Sequence, residues 1–266
     1  MTQIDGSIGI IGGSGMLGSA ISEALLDHEV VPGPNFWISN RTGSAAGLER
    51  HAGIRITTDN QELVDACDVI ILSVPPARAS DIGIRAAGKL LVSVMAGVTV
   101  EEIKALTGAS RVVRAMSSPA AALSLAYSPW FASPEVTEDD RRKVTAIFAA
   151  CGLTDEIGEE GNIDHFTAMT GPVPGFVAYF AKCMADYAVG KGIGRDVADR
   201  AIRQLFLSAG TMMSIGEATP ADHVREMIDY AGTTAAGLLA MENSPLSRAI
   251  HDGLDAAVEK SRNMRR

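Results

Sequence analysis

Residues 9–18 read Gly-Ile-Ile-Gly-Gly-Ser-Gly-Met-Leu-Gly, and this stretch decides the fold. Gly13, Gly15 and Gly18 satisfy the pattern GxGxxG, which follows an isoleucine-rich run ending at Ile11. A strand, a glycine loop and a helix in this order predict a dinucleotide-binding βαβ unit. In that unit we expect Gly13 to allow the tight turn, Gly15 to let the backbone approach a pyrophosphate, and Gly18 to bring helix and strand together.

Short apolar runs alternate with helical patterns through the first half of the chain. Because strands that alternate with helices pair in parallel through right-handed crossovers, this order predicts a doubly wound parallel sheet with helices on both faces. The predicted strands are residues 7–11, 35–39, 69–74, 90–95 and 111–115, and the predicted helices between them are residues 60–66, 77–88 and 99–107.

The second half of the chain has a different pattern. From about Asp164 onward apolar residues recur at helical spacing and no β run is visible. The predicted fold class is therefore α/β: an N-terminal Rossmann-type doubly wound parallel sheet over residues 1–160, followed by an all-α C-terminal domain over residues 161–266. Aromatic residues make up only 5% of the chain. Wide apolar helix faces with so few aromatics favour pairing with a second copy, as a homodimer or a higher homo-oligomer.

Composition excludes several classes of protein. The 266 residues are 47% apolar, which is ample for a core, and their net charge is −9. Nucleic acids and anionic membranes attract a positive face, so neither is an expected partner. No run of 18 apolar residues and no signal peptide is visible, and the three cysteines are widely spaced, which together predict a cytoplasmic protein. The five histidines lack ligand spacing, so no metal site is expected.

The residues after the second strand decide between the two nicotinamide cofactors. Proteins that bind NAD usually place Asp or Glu there, on the ribose 2′-hydroxyl. This chain has Ser39-Asn40-Arg41-Thr42 instead, and its next carboxylate is Glu49. Arg41 can stack on adenine or pair with a 2′-phosphate, while Asn40 and Thr42 can donate hydrogen bonds. NADP(H) is therefore favoured over NAD(H); the alternative is that Arg41 is a solvated loop charge.

Six segments in order resemble the pyrroline-5-carboxylate reductase family, which carries out the last step of proline biosynthesis. They span nearly the whole chain. The segments are the glycine loop, residues 93–98 (Ser-Val-Met-Ala-Gly-Val, like S-I-x-A-G-V), residues 114–116 (Arg-Ala-Met, like R-x-M), residues 164–171 (like D-A-V-T-A-L-S-G), residues 174–176 (Pro-Gly-Phe, like P-A-Y) and residues 232–234 (Gly-Thr-Thr, like the end of S-P-G-G-T-T).

The resemblance implies an oxidoreductase that transfers a hydride from NAD(P)H to the C=N carbon of a cyclic imino acid, most simply pyrroline-5-carboxylate, to give L-proline. Thr234 is the implied catalytic residue, because it matches a threonine that sits by the ring nitrogen in the family. The implied substrate-binding residues are Thr170, Gly171, Gly232, Thr233 and Thr234. The implied cofactor-binding residues, which include those of the glycine loop and of the loop after the second strand, are Gly13, Ser14, Gly15, Met16, Leu17, Asn40, Arg41, Thr42, Val74, Pro75, Ala96 and Gly97.

Several positions depart from the family pattern. The lysine of its A-V-K-P becomes Pro75, the asparagine of its P-N-x-P aligns with Ser118, and Asp229-Tyr230-Ala231 replace the first residues of S-P-G-G-T-T. These changes would suit a divergent paralogue. Two alternatives stay open: a related two-domain NADP-dependent dehydrogenase with another substrate, and a non-catalytic dinucleotide-binding regulatory protein. The first is disfavoured because residues 144–181 contain no lysine to act as acid or base.

Overall fold

Strands and helices alternate in the first half of the chain, within residues 3–45 and 47–264 that the computed structural model describes. Residues 1, 2, 46, 265 and 266 of the predicted domains lie outside this part. The strands are β1 (Ile8–Ile11), β2 (Phe36–Ser39), β3 (Arg55–Thr57), β4 (Val69–Leu72), β5 (Leu90–Ser93), β6 (Arg111–Ala115), β7 (Ala126–Tyr127), β8 (Trp130–Ala132) and β9 (Gly152–Leu153).

Seven of these strands form one sheet in the order β3-β2-β1-β4-β5-β6-β8. Neighbouring strands are parallel except for β6 and β8, and β7 pairs with β9 in a separate two-stranded sheet. The predicted Rossmann-type, doubly wound parallel sheet is confirmed, with β8 added antiparallel at its edge. Strands β3 and β8 escaped prediction because three residues are too few to show an apolar period.

The helices begin at polar caps in several places. At α3 the Thr99 hydroxyl accepts from the backbone N–H of Glu102, and at α4 the Thr137 hydroxyl accepts from that of Asp140. The helices are α1 (Met16–Asp27), α2 (Asn60–Ala66), α3 (Val100–Thr107), α4 (Glu138–Cys151), α5 (Asn162–Met169), α6 (Gly175–Gly190), α7 (Arg195–Met213), α8 (Pro220–Asp229), α9 (Thr233–Glu242) and α10 (Leu246–Arg262).

Residues 77–88 do not form the predicted α-helix. The chain makes a short 3₁₀ helix there, Pro76–Asp81, and then runs on to β5 without regular structure. Gly83 and Gly88 adopt φ angles of +61° and +80°, which a right-handed helix excludes. The apolar side chain of Ile84 is nevertheless buried in the core. The apolar pattern therefore indicated a buried segment correctly but predicted the wrong secondary structure for it.

Apolar side chains cover both faces of the sheet, as a parallel sheet requires. On one face Ile8 and Ile10 of β1 share a core cluster with Phe148 of α4. On the other face Ile11 shares a cluster with Leu63 of α2. Because β2, β1, β4 and β5 run parallel, their carboxyl ends lie at the same edge of the sheet.

The chain forms two compact units whose limits differ from the predicted boundary after residue 160. The first unit runs to Val173 and takes in the chain again from Asp255 onward, whereas the second is Pro174–Leu254. Polar contacts explain the difference. The Ser261 hydroxyl at the end of α10 donates to the carboxylate of Asp164 in α5 at 3.2 Å, and both residues are buried in the first unit.

The second unit is all-α, as predicted for this half of the chain, and it buries little apolar surface. Among residues 174–254, which are all described, the buried ones are alanines alone. An edge contact joins Phe180 of α6 to Phe206 of α7, with centroids 6.2 Å apart. Such uncovered apolar faces are typical of an interaction surface. The most exposed large apolar side chains of this unit are Tyr179, Tyr187, Leu207, Met212, Ile215 and Tyr230.

Candidate functional site

A cleft of about 610 Å³ opens at the carboxyl ends of β1, β2 and β4. Strand β1 lies between the other two, so the cleft is at the switch point where doubly wound sheets bind ligands. Six of the predicted cofactor-binding residues line it: Ser14, Gly15, Asn40, Arg41, Val74 and Pro75. The other six do not: Gly13, Met16, Leu17, Thr42, Ala96 and Gly97.

The tight turn of the glycine loop is made at Gly12. This residue has a φ of +86°, and a Cβ there would lie 2.4 Å from the carbonyl oxygen of Ser73. Its N–H donates to the carbonyl of Ser39 at 3.0 Å, which ties the loop to β2. Gly13, to which the sequence analysis gave the turn, has no positive φ. A Cβ on Gly13 would instead meet the side chain of Ile38 at 2.7 Å, so its glycine serves packing.

The first turn of α1 presents backbone N–H groups beside the glycine loop. Gly15 is the N-cap and provides no side-chain hydrogen bond, so the first N–H groups of the helix have no side-chain partner. A Cβ on Gly18 would lie 2.3 Å from the carbonyl oxygen of Gly12, so α1 approaches the loop as closely as predicted. Leu17 packs its side chain against the core. This arrangement suits a phosphate held by backbone groups.

The loop after β2 is organised by Asn40. Its side-chain oxygen accepts from the backbone N–H of Thr42 at 3.1 Å, from the Thr42 hydroxyl at 3.1 Å and from the N–H of Ser44 at 3.2 Å. Its amide nitrogen donates to the carbonyl of Ser44 at 2.8 Å. The predicted donor roles of Asn40 and Thr42 are therefore partly taken up within the loop. Arg41 is exposed and has no ion-pair partner in the described residues.

Sequence reasoning missed the residues that close this end of the cleft. Thr58, Asn60, Arg78 and Asp81 also line it. Asn60 begins α2, three residues after the end of β3, and its place at the start of the predicted helix over residues 60–66 was the signal that could have identified it. Arg78 and Asp81 lie in the segment that was predicted to be a helix, and no motif pointed to them.

Ala96 and Gly97, predicted to bind cofactor, lie in the loop between β5 and α3. Gly97 has a φ of +68°, and a Cβ there would lie 2.3 Å from the carbonyl oxygen of Ser261. The close approach that requires glycine at this position is therefore to the end of α10. Their contact with a cofactor stays a prediction.

The predicted substrate residues fall in both units. Thr170 and Gly171 belong to the first unit, and the Thr170 hydroxyl donates to the carbonyl of Phe166 at 3.1 Å. Gly232 is the N-cap of α9 in the second unit and makes no side-chain cap. Thr233 and Thr234 follow in the first turn of α9, and both are exposed. The exposed hydroxyls and the helix N-terminus together suit a carboxylate.

The residue before this N-cap is strained. Ala231 has a φ of +59°, where the family signature has glycine. The neighbouring Tyr230 is 83% exposed, and its ring lies about 3.3 Å from where a Cβ on Gly232 would be. Strain of this kind at a loop that faces solvent is common where a ligand binds.

Two other kinds of site are absent from the part of the chain that is described. No cluster of three or more His, Cys, Asp or Glu side chains there could hold a metal ion. None of the described helices combines the length and the apolar character that crossing a membrane requires.

Comparisons with known proteins give the same two-part picture. A sequence profile described as pyrroline-5-carboxylate reductase dimerisation matches residues 160–264, and one described as NADP oxidoreductase coenzyme F420-dependent matches residues 7–97. The pyrroline-5-carboxylate reductase of Methanosarcina acetivorans is 30% identical over 264 residues, which is 97% of both chains.

Solved structures agree at the level of the fold. A pyrroline-5-carboxylate reductase from Coxiella burnetii is similar with a TM-score of 0.87 at 23% identity, covering 99% of this chain and 100% of its own. A pyrroline carboxylate reductase from Plasmodium falciparum, solved with NADP bound, is similar with a TM-score of 0.83 at 22% identity and the same coverage.

Proposed function

Because the chain belongs to the pyrroline-5-carboxylate reductase family, we propose that it transfers a hydride from NADPH to the C=N bond of a cyclic imino acid. The substrate proposed is pyrroline-5-carboxylate, and the product is L-proline. The single observation that carries this proposal is the 30% identity to a named reductase over 97% of both chains. The glycine loop, the cleft and the α9 N-terminus supply parts that such a reaction needs.

The cleft fits a dinucleotide. Gly12 and Gly18 stand where any Cβ would collide with backbone, and Gly15 leaves the first N–H groups of α1 open, so the loop can cradle a pyrophosphate. NADPH, when bound, supplies the hydride. The phosphorylated cofactor is favoured because Arg41 lines the cleft at the β2 end and none of residues 39–42 is acidic.

The protein's own part in the reaction is to orient and to exclude water. We assign the substrate carboxylate to the α9 N-terminus, where the Gly232 backbone and the Thr233 hydroxyl can donate. Thr234 is assigned to the ring nitrogen, where its hydroxyl can deliver or relay a proton. A protonated imine is already electrophilic, so positioning supplies most of the acceleration and no strong acid is needed. We also assign Thr170 and Gly171 to substrate binding.

We propose that the second unit pairs with its counterpart in another copy to form a homodimer or a higher homo-oligomer. Its interior buries only Ala185, Ala198 and Ala235, while aromatic and Met side chains are exposed on α6 and α7. The match of residues 160–264 to a dimerisation profile supports this assembly. A mass near 28 kDa in light scattering at micromolar concentration would contradict it.

We place the protein in the cytoplasm, without nucleic acid as a partner. The three cysteines are free, and burial raises the pKa of the Cys151 thiol to about 12, as suits a structural thiol in a reducing compartment. The net charge of −9 opposes binding to nucleic acid.

NADPH oxidation tests the function directly. The assay follows absorbance with pyrroline-5-carboxylate, pyrroline-2-carboxylate and the six-membered imino acid as substrates. We expect turnover with at least one of them, and with NADPH preferred to NADH. If the protein binds NADPH but oxidises it with none of the three imino acids, the proposal is contradicted and a non-catalytic dinucleotide-binding protein is favoured.

A further inference from the structure

We propose that Arg78 is a second cation for the adenosine 2′-phosphate, opposite Arg41, and that it pairs with Asp81 when no phosphate is bound. This inference rests on the proposed function only in taking NADPH as the ligand of the cleft. It assigns cofactor specificity to a segment outside the glycine loop and outside the second-strand tip.

Hydrogen bonds of Asn60 bring the two arginine-bearing segments to the same end of the cleft. The Ser39 hydroxyl donates to the side-chain oxygen of Asn60 at 2.7 Å, two residues before Arg41. The amide nitrogen of Asn60 donates to the carbonyl of Ile82 at 3.1 Å, four residues after Arg78. Asn60 thus spans the gap between the end of β2, where a ribose 2′-substituent is read in Rossmann folds, and the 3₁₀ helix.

The 3₁₀ helix turns Arg78 toward the cleft. The Arg78 N–H donates to the carbonyl of Pro75 at 2.8 Å, so the two residues are one turn apart. Side chains three residues apart eclipse each other in such a helix, which places Arg78 on the face of Pro75, and both residues line the cleft. The family pattern has lysine at the position of Pro75, so Arg78 restores a cation to this loop one turn later.

The ion pair of Arg78 is of a kind that a phosphate can displace. Its Nε lies 3.1 Å from Oδ2 of Asp81, and the two side chains are 49% and 56% exposed. Exposed pairs of this type contribute little to stability. A phosphate carries more charge than one carboxylate and matches the guanidinium fork with two hydrogen bonds.

The charge of the cleft points to the same ligand. Its charged lining residues are Arg41, Arg78 and Asp81, so the site is net positive in a chain of net charge −9. With a 2′-phosphate bound, both arginines have an anionic partner. With an unsubstituted ribose, Arg78 stays with Asp81 and adds nothing. Arg78 therefore adds binding free energy for NADPH and none for NADH, which gives a preference for NADPH.

Binding of cofactor fragments tests the inference without catalysis. Titration calorimetry of the full chain would compare 2′,5′-ADP with 5′-AMP for wild type, Arg78→Met and Asp81→Asn. We expect Arg78→Met to weaken 2′,5′-ADP about tenfold or more and to change 5′-AMP less than about threefold. Asp81→Asn should tighten 2′,5′-ADP, because it removes the competing carboxylate. Arg142→Met is the matched control, since Arg142 forms an exposed i,i+3 pair with Asp139 on α4, away from the cleft.

The outcomes separate this inference from the proposed function. Equal loss of both fragments in Arg78→Met would mean that Arg78 stacks on adenine, and unchanged affinity for both would mean that it does not contact the nucleotide; either result overturns the inference. Wild type that does not prefer 2′,5′-ADP would overturn it together with the choice of NADPH. Loss specific to 2′,5′-ADP in a protein that reduces no imine would leave the inference standing and refute the proposed function. If Arg78→Met does not fold, Arg78→Gln and Asp81→Asn decide the question.

Discussion

The guanidinium of Arg114 donates a 2.6 Å hydrogen bond to the carboxylate of Asp164, and the two side chains are only 2% and 10% exposed. Glu160 lies 3.3 Å from the same guanidinium and also accepts the N–H of Val100, the first residue of α3. Ser261 of α10 donates to Asp164. Through Glu160 and Asp164, the buried Arg114 on β6 therefore links α3, α5 and the end of α10 within the first unit.

Replacing Arg114 by Met should destabilise the protein strongly. The change leaves two carboxylates without their main partner, and breaking a buried pair in this way typically costs about 3–5 kcal/mol in the free energy of unfolding. Urea unfolding of the first unit, followed by tryptophan fluorescence, measures the loss. Arg142→Met removes an exposed pair and should cost less than about 1 kcal/mol. Equal effects of the two changes would show that the Arg114 network is not stabilising.

Asp140 should make stability depend on pH. Burial alone would raise the pKa of its carboxyl, but hydrogen bonds from the Thr137 backbone, the Thr137 hydroxyl and Arg111 outweigh burial and hold the pKa below its usual value. The contribution is complete above the pKa of an unfolded aspartate, about 3.9, and is lost as the pH falls through the lower folded pKa. Asp140→Asn should therefore lower the free energy of unfolding by about 1.5–3 kcal/mol at pH 7.

The pH dependence of unfolding in Asp140→Asn can contradict this prediction. Because Asn cannot ionise, the difference from wild type should shrink as unfolding is measured at successively lower pH below about 4. A difference that stays constant from pH 7 to pH 3 would show that the charge of Asp140 does not stabilise the fold. Thr137→Ser, which keeps the capping hydroxyl, is the conservative control.

Much of the fold could be predicted from the sequence because long buried strands have a clear signature. The run at β6 was predicted with its observed limits, Arg111–Ala115, and β1, β4 and β5 are buried along their whole length. The segment at residues 77–88 failed because apolar content does not distinguish a helix from an irregular buried segment when glycines take positive φ. The return of α10 to the first unit depends on Asp164 and Ser261, which are 97 residues apart and share no local pattern.

The candidate site was predictable where backbone geometry dictates residue type. Gly15 and Arg41 follow from the βαβ order, since a strand end fixes what can stand next to a nucleotide. The turn glycine was placed one residue late because GxGxxG can be matched from Gly13 while Gly12 carries the positive φ. Arg78 was not found because its place in the cleft depends on the hydrogen bonds of Asn60, which no spacing rule encodes.

Gly18→Ala should weaken nucleotide binding. The added Cβ would lie 2.3 Å from the carbonyl oxygen of Gly12, so α1 must move away from the loop that we propose holds the pyrophosphate. We expect a loss of NADPH affinity of tenfold or more, read from nucleotide fluorescence. Gly158→Ala adds a Cβ that meets nothing within 4 Å at a position without positive φ, and it should bind NADPH like wild type. Unchanged affinity of Gly18→Ala would contradict the proposed cradle.

Arg41→Ala should raise the KM for NADPH about tenfold or more, because a hydrogen bond to a charged group is worth about 1.5–3 kcal/mol. The KM for NADH should change little, since the 2′-phosphate is absent. Arg55→Ala, on the exposed start of β3, removes the same charge outside the cleft lining and serves as the control. A parallel rise of both KM values would assign Arg41 to adenine stacking, and no change would leave it a solvated loop charge.

Thr234→Val should lower kcat more than it raises KM. Valine keeps the shape of the side chain but removes the hydroxyl that we assign to the ring nitrogen, and the exposed first turn of α9 tolerates the change without a buried cavity. The loss should be modest, about tenfold, because a protonated imine already accepts hydride, and it should grow with pH as less imine is protonated.

Thr233→Val is the matched control for Thr234→Val. The Thr233 hydroxyl is assigned to the carboxylate, so KM should rise at nearly constant kcat. Thr234→Ser should restore turnover. If Thr234→Val keeps the wild-type kcat across the pH range, proton delivery at the ring nitrogen does not depend on this residue, and the solvent or the substrate itself supplies the proton.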